Sequence, residues 1–191
     1  MTKGRLEAFS DGVVAILITI MVLELKVPHG EGLSALRPLV PVFLTYALSY
    51  VFLGIYWNNH HHLLHAAAKI DGRVLWANLH LLFWLSLIPI ATGWLGDHPR
   101  ASLPAAAYGG VMLLAGLAYF ILEKTLIAAQ GPDSKLKDAV GNDVKGLISM
   151  ACYGLAIPLA FVHAWISIAL YVLVAAAWFV PDRRIERTLA R

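Results

Sequence analysis

Six stretches of this chain approach the roughly 20 apolar residues needed to cross a lipid bilayer, and no other feature restricts the fold so strongly. In hydrocarbon a backbone amide finds no water, so a crossing segment must satisfy its polar groups internally, as a helix or in a closed barrel. The alternation of a barrel strand is absent. The sequence therefore predicts an all-α integral membrane protein. Of its 191 residues 59% are hydrophobic and 14% charged, well under the roughly 25% charge of a soluble domain.

Polar breaks place the spans at Leu6 to Leu25, Leu39 to Asn59, Val74 to Leu95, Ala105 to Ile127, Leu147 to Val162 and Trp165 to Val180, a single six-helix subunit over 1–191. Pro28, Gly30 and Gly32 punctuate the first loop, as turn-forming residues do. The first span continues into Glu24 and Lys26 without a small-residue cleavage site, unlike a cleavable signal. Twelve lysines and arginines fall on one side: Lys3, Arg5, Lys69, Arg73, Lys124, Lys135, Lys137, Lys145 and the tail's Arg183, Arg184, Arg187 and Arg191. Lys26, Arg37 and Arg100 fall on the other. Positive charge stays inside, so both termini are expected in the cytoplasm, in a cell inner membrane or plasma membrane. Trp94, Trp165 and Trp178 sit near span ends, where indole rings favour the interface. The basic tail reads as an anchor of this kind, and no nucleic-acid partner is expected. The lone Cys152 lies in an apolar stretch and reads as a core residue.

The first span, RLEAFSDGVVAILITIMVLELKVP, keeps polar groups in its opening turns. At 100° per residue, Ile16, Ile20 and Leu23 stack on one face, with Phe9 and Gly12 or Val13 extending it and Thr19 beside it. Asp11 points well away, next to Glu7 at i, i+4, where like charges repel. An apolar stripe also suits packing or lipid. A helical threonine commonly bonds back to its own carbonyls. An ionisable group in a span usually faces protein or water, which leaves structural and functional roles for Asp11 equally open.

Three segments together resemble a known family. Arg5, Phe9, Ser10 and Asp11 spell R-x-x-x-F-S-D ahead of an apolar helix; Trp57, His60 and His61 give W-x-x-H-H; and Asn78, Pro89, Thr92 and Gly96 mark a leucine-rich third segment. Over residues 5 to 96 this is similar to the transmembrane protein 175 family of potassium channels. The resemblance implies a homotetramer whose first helices line a central pore. It further implies a passive channel for K⁺ and other monovalent cations, with modest preference for K⁺ over Na⁺. Ile16, Ile20 and Leu23 match the family's apolar constriction and Thr19 its selectivity-adjacent threonine. Arg5, Ser10 and Asp11 would then turn from the pore and bond to Trp57, His60, His61 or Asn78. The extra His62 and His65 depart from the pattern.

Two other functions remain open. His61 and His65 at i, i+4 offer a metal pair for a membrane enzyme, but His29, His80, His98 and His163 are isolated, and an interfacial histidine cluster is the plainer reading; no enzyme activity, metal or cofactor is expected. A secondary ion or proton transporter would use broken helices, which Pro89 and Pro158 could supply, and internal repeats, of which none is visible.

Overall fold

The computed structural model describes residues 2–131, 136–137 and 143–179. Lys135 and the tail arginines Arg183, Arg184, Arg187 and Arg191 lie outside the described residues. The described residues form helices α1 (Lys3–Leu23), α2 (Val40–Ala66), α3 (Gly72–Ser86), α4 (Ile88–Asp97), α5 (Ser102–Gln130), α6 (Val144–Val162) and α7 (Ala164–Trp178). Two short 3₁₀ turns, Leu33–Ala35 and Arg37–Leu39, lead into α2. Five spans, counting α3 and α4 as one, are long and apolar enough to cross a membrane, and α7 is a shorter apolar helix of 15 residues.

Two boundaries differ from expectation. α2 ends at Ala66 instead of Asn59, so HHHLLH is helical and not a connecting loop. The backbone turns extended only at Ala67, which caps the helix. The third span is two helices. Leu87 caps α3 and starts α4, and Pro89 occupies the first turn of α4, where its missing N–H is no loss. Pro158, by contrast, stays inside α6.

Side chains close the helix ends. Asp71 caps α3 by accepting from Val74 N at 3.0 Å. That bond, and then Arg73 beside it, hold the half-buried Asp71 carboxyl below the usual carboxylate range. Asp143 caps α6 through Gly146 N at 3.0 Å. Gln130, the last residue of α5, clamps the α2–α3 connection. Its Oε1 accepts from Ala68 N and Lys69 N at 2.8 and 3.0 Å, and its Nε2 donates to Lys69 O at 2.9 Å. Gly131 follows with φ of 91°, a left-handed turn that ends α5 where a side chain would be strained. Between α6 and α7 a single residue, His163, closes one helix and caps the next, its Nδ1 accepting from Trp165 N at 3.3 Å.

Small residues set the packing, because lipid supplies no hydrophobic drive between helices and close backbone approach must supply van der Waals contact instead. Ala105, Ala115, Ala118, Ala156 and Ala160 are fully buried where α5 meets its neighbours. Tyr171 of α7 lies across Gly109 of α5 and donates to Ala105 O at 2.9 Å. Ser167 donates to Ala156 O at 2.6 Å, tying α7 to α6.

A methyl at Gly109 would collide with the Tyr171 hydroxyl, while one at neighbouring Gly110 meets nothing within 4 Å. Alanine favours a helix over glycine by about 1 kcal/mol, so the two substitutions should act in opposite directions. Gly110→Ala is expected to raise the melting temperature in detergent, and Gly109→Ala to lower it by forcing Tyr171 off Ala105, an overpacking cost of about 1–3 kcal/mol.

Candidate functional site

α1 carries two faces of opposite character. Leu6, Ser10, Val14, Leu17 and Met21 are buried against the rest of the subunit. Across the helix, Ile16 is 57% exposed, Ile20 41% and Leu23 80%, with Thr19 between them also exposed. The stripe isolated by helical periodicity thus points out of the subunit along the span. Thr19 Oγ1 sits 3.1 Å from Ala15 O and 2.9 Å from Ile16 O. Its proton is committed to the helix, and its oxygen lone pairs are left facing outward.

The buried face holds a directed chain of hydrogen bonds. Ser10 Oγ donates to Leu6 O at 2.9 Å and accepts from Asn78 Nδ2 at 3.0 Å. Asn78 Oδ1 lies 2.7 Å from His60 Nε2. With the amide nitrogen used on Ser10, the amide oxygen must accept, so His60 Nε2 carries the proton. Asn78 is 0% exposed, Ser10 1% and His60 6%, and each of these groups would be costly to bury unbonded. The chain therefore holds α1, α2 and α3 in one register. One turn away, Asp11 accepts from Trp57 Nε1 at 2.9 Å. Lys3 Nζ donates to His65 O at 2.7 Å, so α1 and α2 run antiparallel along this contact.

Two members expected in this network stand outside it. Arg5 is exposed and has no side-chain hydrogen bond or ion pair among the described residues. It lies about 140° around the helix from Ser10 and about 120° from Asp11, too far to share either's neighbours. His61 is exposed and stacks between Trp57 and His65 instead of reaching α1's polar groups; it sits about 100° past His60.

A second anchor was not foreseen. Thr92 Oγ1 of α4 lies 2.6 Å from Ser49 Oγ and 2.7 Å from Ile88 O, and Ser49 Oγ lies 3.0 Å from Tyr108 Oη. Met21 Sδ, in the C-terminal half of α1, touches Thr92 Oγ1 at 4.0 Å. Hydroxyls recurring within apolar runs were the available signal, but their pairing needs the fold. The Lys26–Asp97 pair at 3.9 Å is exposed and adds little. Among the described residues no group of three or more His, Cys, Asp or Glu is placed to hold one metal ion.

Asn78→Leu removes a donor and an acceptor together and strands His60 Nε2–H in an apolar surround. A buried donor left unpaired costs about 1–3 kcal/mol. The variant is expected to melt earlier in detergent, whereas Arg5→Ala should melt within about 0.5 kcal/mol of the parent chain, as surface changes do.

A family model described as the endosomal/lysosomal potassium channel TMEM175 matches residues 5–89, from the start of α1 to the break at Pro89. The chain is 54% identical over 189 residues to a potassium channel of Chryseobacterium sp. (strain P1-3), covering 99% of this chain and 98% of that one. It is 32% identical over 186 residues to a potassium channel of Chamaesiphon minutus (strain ATCC 27169 / PCC 6605), covering 90% and 91%. Its fold matches the crystal structure of a lysosomal potassium-selective channel TMEM175 homolog from the same species with a TM-score of 0.82 at 31% identity, covering 93% of this chain and 96% of that one. The chain is an all-helical, multi-pass membrane protein, and it belongs to the TMEM175 family.

Proposed function

We propose that the chain is one subunit of a homotetrameric, passive K⁺-permeable cation channel whose central pore is lined by α1. The observation that carries this reading is the unpartnered apolar face of α1, Ile16, Ile20 and Leu23, set opposite a face whose polar groups are bonded into the subunit. Closed rotational symmetry is the ordinary way for identical subunits to cover such a face and enclose an axis. The relatives described as potassium channels supply the ion.

Four copies of Ile16 around an axis form a ring too apolar to keep a water column when narrow, so the ring closes by dewetting. Thr19 stands one turn away with its proton turned into the helix. Four such hydroxyls offer oxygen atoms to the lumen, the polarity that suits a cation. They replace a hydration shell only in part, which accounts for a modest preference for K⁺ over Na⁺. The lysine and arginine bias puts both termini, and the Ser10–Asn78–His60 chain, toward the cytoplasm of a cell whose inner or plasma membrane houses the channel. The chain of bonds acts as the fixed frame against which the pore face is held. The break in the third span falls between Leu85 and Ile88, both buried in the apolar core, whereas the broken helices of transporters build polar ion sites.

Ile16→Asn should wet the ring, so conductance rises and K⁺/Na⁺ discrimination falls. Thr19→Val keeps the shape and removes four hydroxyls, so discrimination falls with little gain in current. Currents recorded in planar bilayers at equal protein content, first in K⁺ and then in Na⁺, test this. Unchanged conductance in Ile16→Asn together with a lower melting temperature would show that Ile16 packs against lipid, and counterflow in vesicles would show a carrier.

Native mass measurement in detergent tests the assembly and is expected to give four chains; a monomer or dimer alone removes the pore.

A further inference from the structure

We infer that His61 and His65 form a surface site for a divalent transition-metal ion of the Zn²⁺ and Cu²⁺ class, one per subunit, beside the first turns of α1. The observation is a set of unengaged imidazoles. His60, His80, His98 and His163 each spend a ring nitrogen on a protein partner: Asn78, Trp84, the Trp94 carbonyl and Trp165 N respectively. The rings of His61, His62 and His65 have no hydrogen bond among the described residues: His61 stacks on Trp57 and His65, and His62 meets His61 edge-on. They lie in the last two turns of α2, within one helix whose backbone fixes their spacing.

The geometry suits a shared ion. His61 and His65 are at i, i+4 on one exposed face, their ring centroids 6.0 Å apart and their planes 19° from parallel. Metal–nitrogen bonds of about 2.0–2.1 Å, with a nitrogen about 1 Å from its ring centre, put two imidazoles on one ion at most about 6.5 Å apart by centroid. The observed separation falls inside that limit; a metal–nitrogen bond lies in the plane of its ring, so the two near-parallel rings must turn their nitrogen edges toward a common point, a rotamer change that their exposed position leaves room for. Neutral imidazole is a ligand for Zn²⁺ and Cu²⁺ in preference to Mg²⁺ or Ca²⁺. No third His, Cys, Asp or Glu joins them at one point among the described residues, so water completes the shell. The site binds without the closed ligand set of a metalloenzyme. Neighbouring charge is mixed: Lys3 bonds the His65 carbonyl, and Glu7 lies between Lys3 and Asp11 on the facing helix. A bound ion would pin the end of α2 beside the segment that holds Asp11 through Trp57.

Purified full chain without an affinity tag, in detergent, is titrated with Zn²⁺ by calorimetry and with Cu²⁺ by electron paramagnetic resonance. One saturable site per subunit is expected, with Cu²⁺ hyperfine structure from two nitrogens. His61→Gln and His65→Gln should each lower affinity by roughly tenfold or more, at least the loss seen when a metal site loses a supporting group, with no change in melting temperature without metal. Wild-type affinity in the double variant overturns the site. An equal loss in His62→Gln alone, with His65→Gln unaffected, overturns the i, i+4 pairing. Absence of any saturable Zn²⁺ or Cu²⁺ binding in the parent chain overturns the inference altogether.

Discussion

The structure depends on one hydrogen-bonded amide. Asn78 sits in the middle of the subunit with no exposure, and its two polar atoms point to different helices, to Ser10 on α1 and to His60 on α2. Between apolar helices in lipid, packing sets distance but leaves rotation and sliding loosely defined. A bond with fixed donor and acceptor sense defines both. Shifting α1 by one residue would carry Ser10 about 100° away and leave the amide unpaired. The outward direction of Ile16, Thr19 and Ile20 is thus set from the opposite side of the same helix, by a polar group that never meets the exposed face.

This division of labour runs along the whole length of α1. The N-terminal half is fixed by polar bonds at Ser10 and Asp11, and the C-terminal half by the contact of Met21 with Thr92, itself bonded to Ser49. The exposed face is free to be apolar because the buried face satisfies the polar groups the helix carries. The family relationship extends over the whole chain through its bacterial relatives, while the family model stops at the break in the third span. That matched stretch contains α1, α2 and α3, the three helices the amide joins.

Much of this was readable from residues. The helical class followed from hydropathy because lipid enforces helices, and the stripe at Ile16, Ile20 and Leu23 followed from periodicity because α1 is regular throughout. The pairing of Ser10 with Asn78 and His60 came within reach through the family pattern. Arg5 and His61 were misplaced among its partners because a motif fixes order along the chain and not angle around the helix. The end of the second span was set short, at Asn59, because a run of histidines breaks the apolar pattern, although the helix continues to Ala66. The Thr92–Ser49–Tyr108 group is formed by residues far apart in the chain, and no local spacing encodes such a meeting. The Gln130 clamp was hidden for the same reason.

The single-residue link at His163 bears on how the protein is made. An apolar helix with an interior proline and a partner of 15 residues are joined with no polar loop between them. Translocating such a junction separately would leave α6 in the bilayer with its following carbonyls unsatisfied and α7 still in water. The two segments are best inserted together, as one hairpin. Ser167 bonding to Ala156 O makes that hairpin self-supporting before the rest of the subunit closes around it.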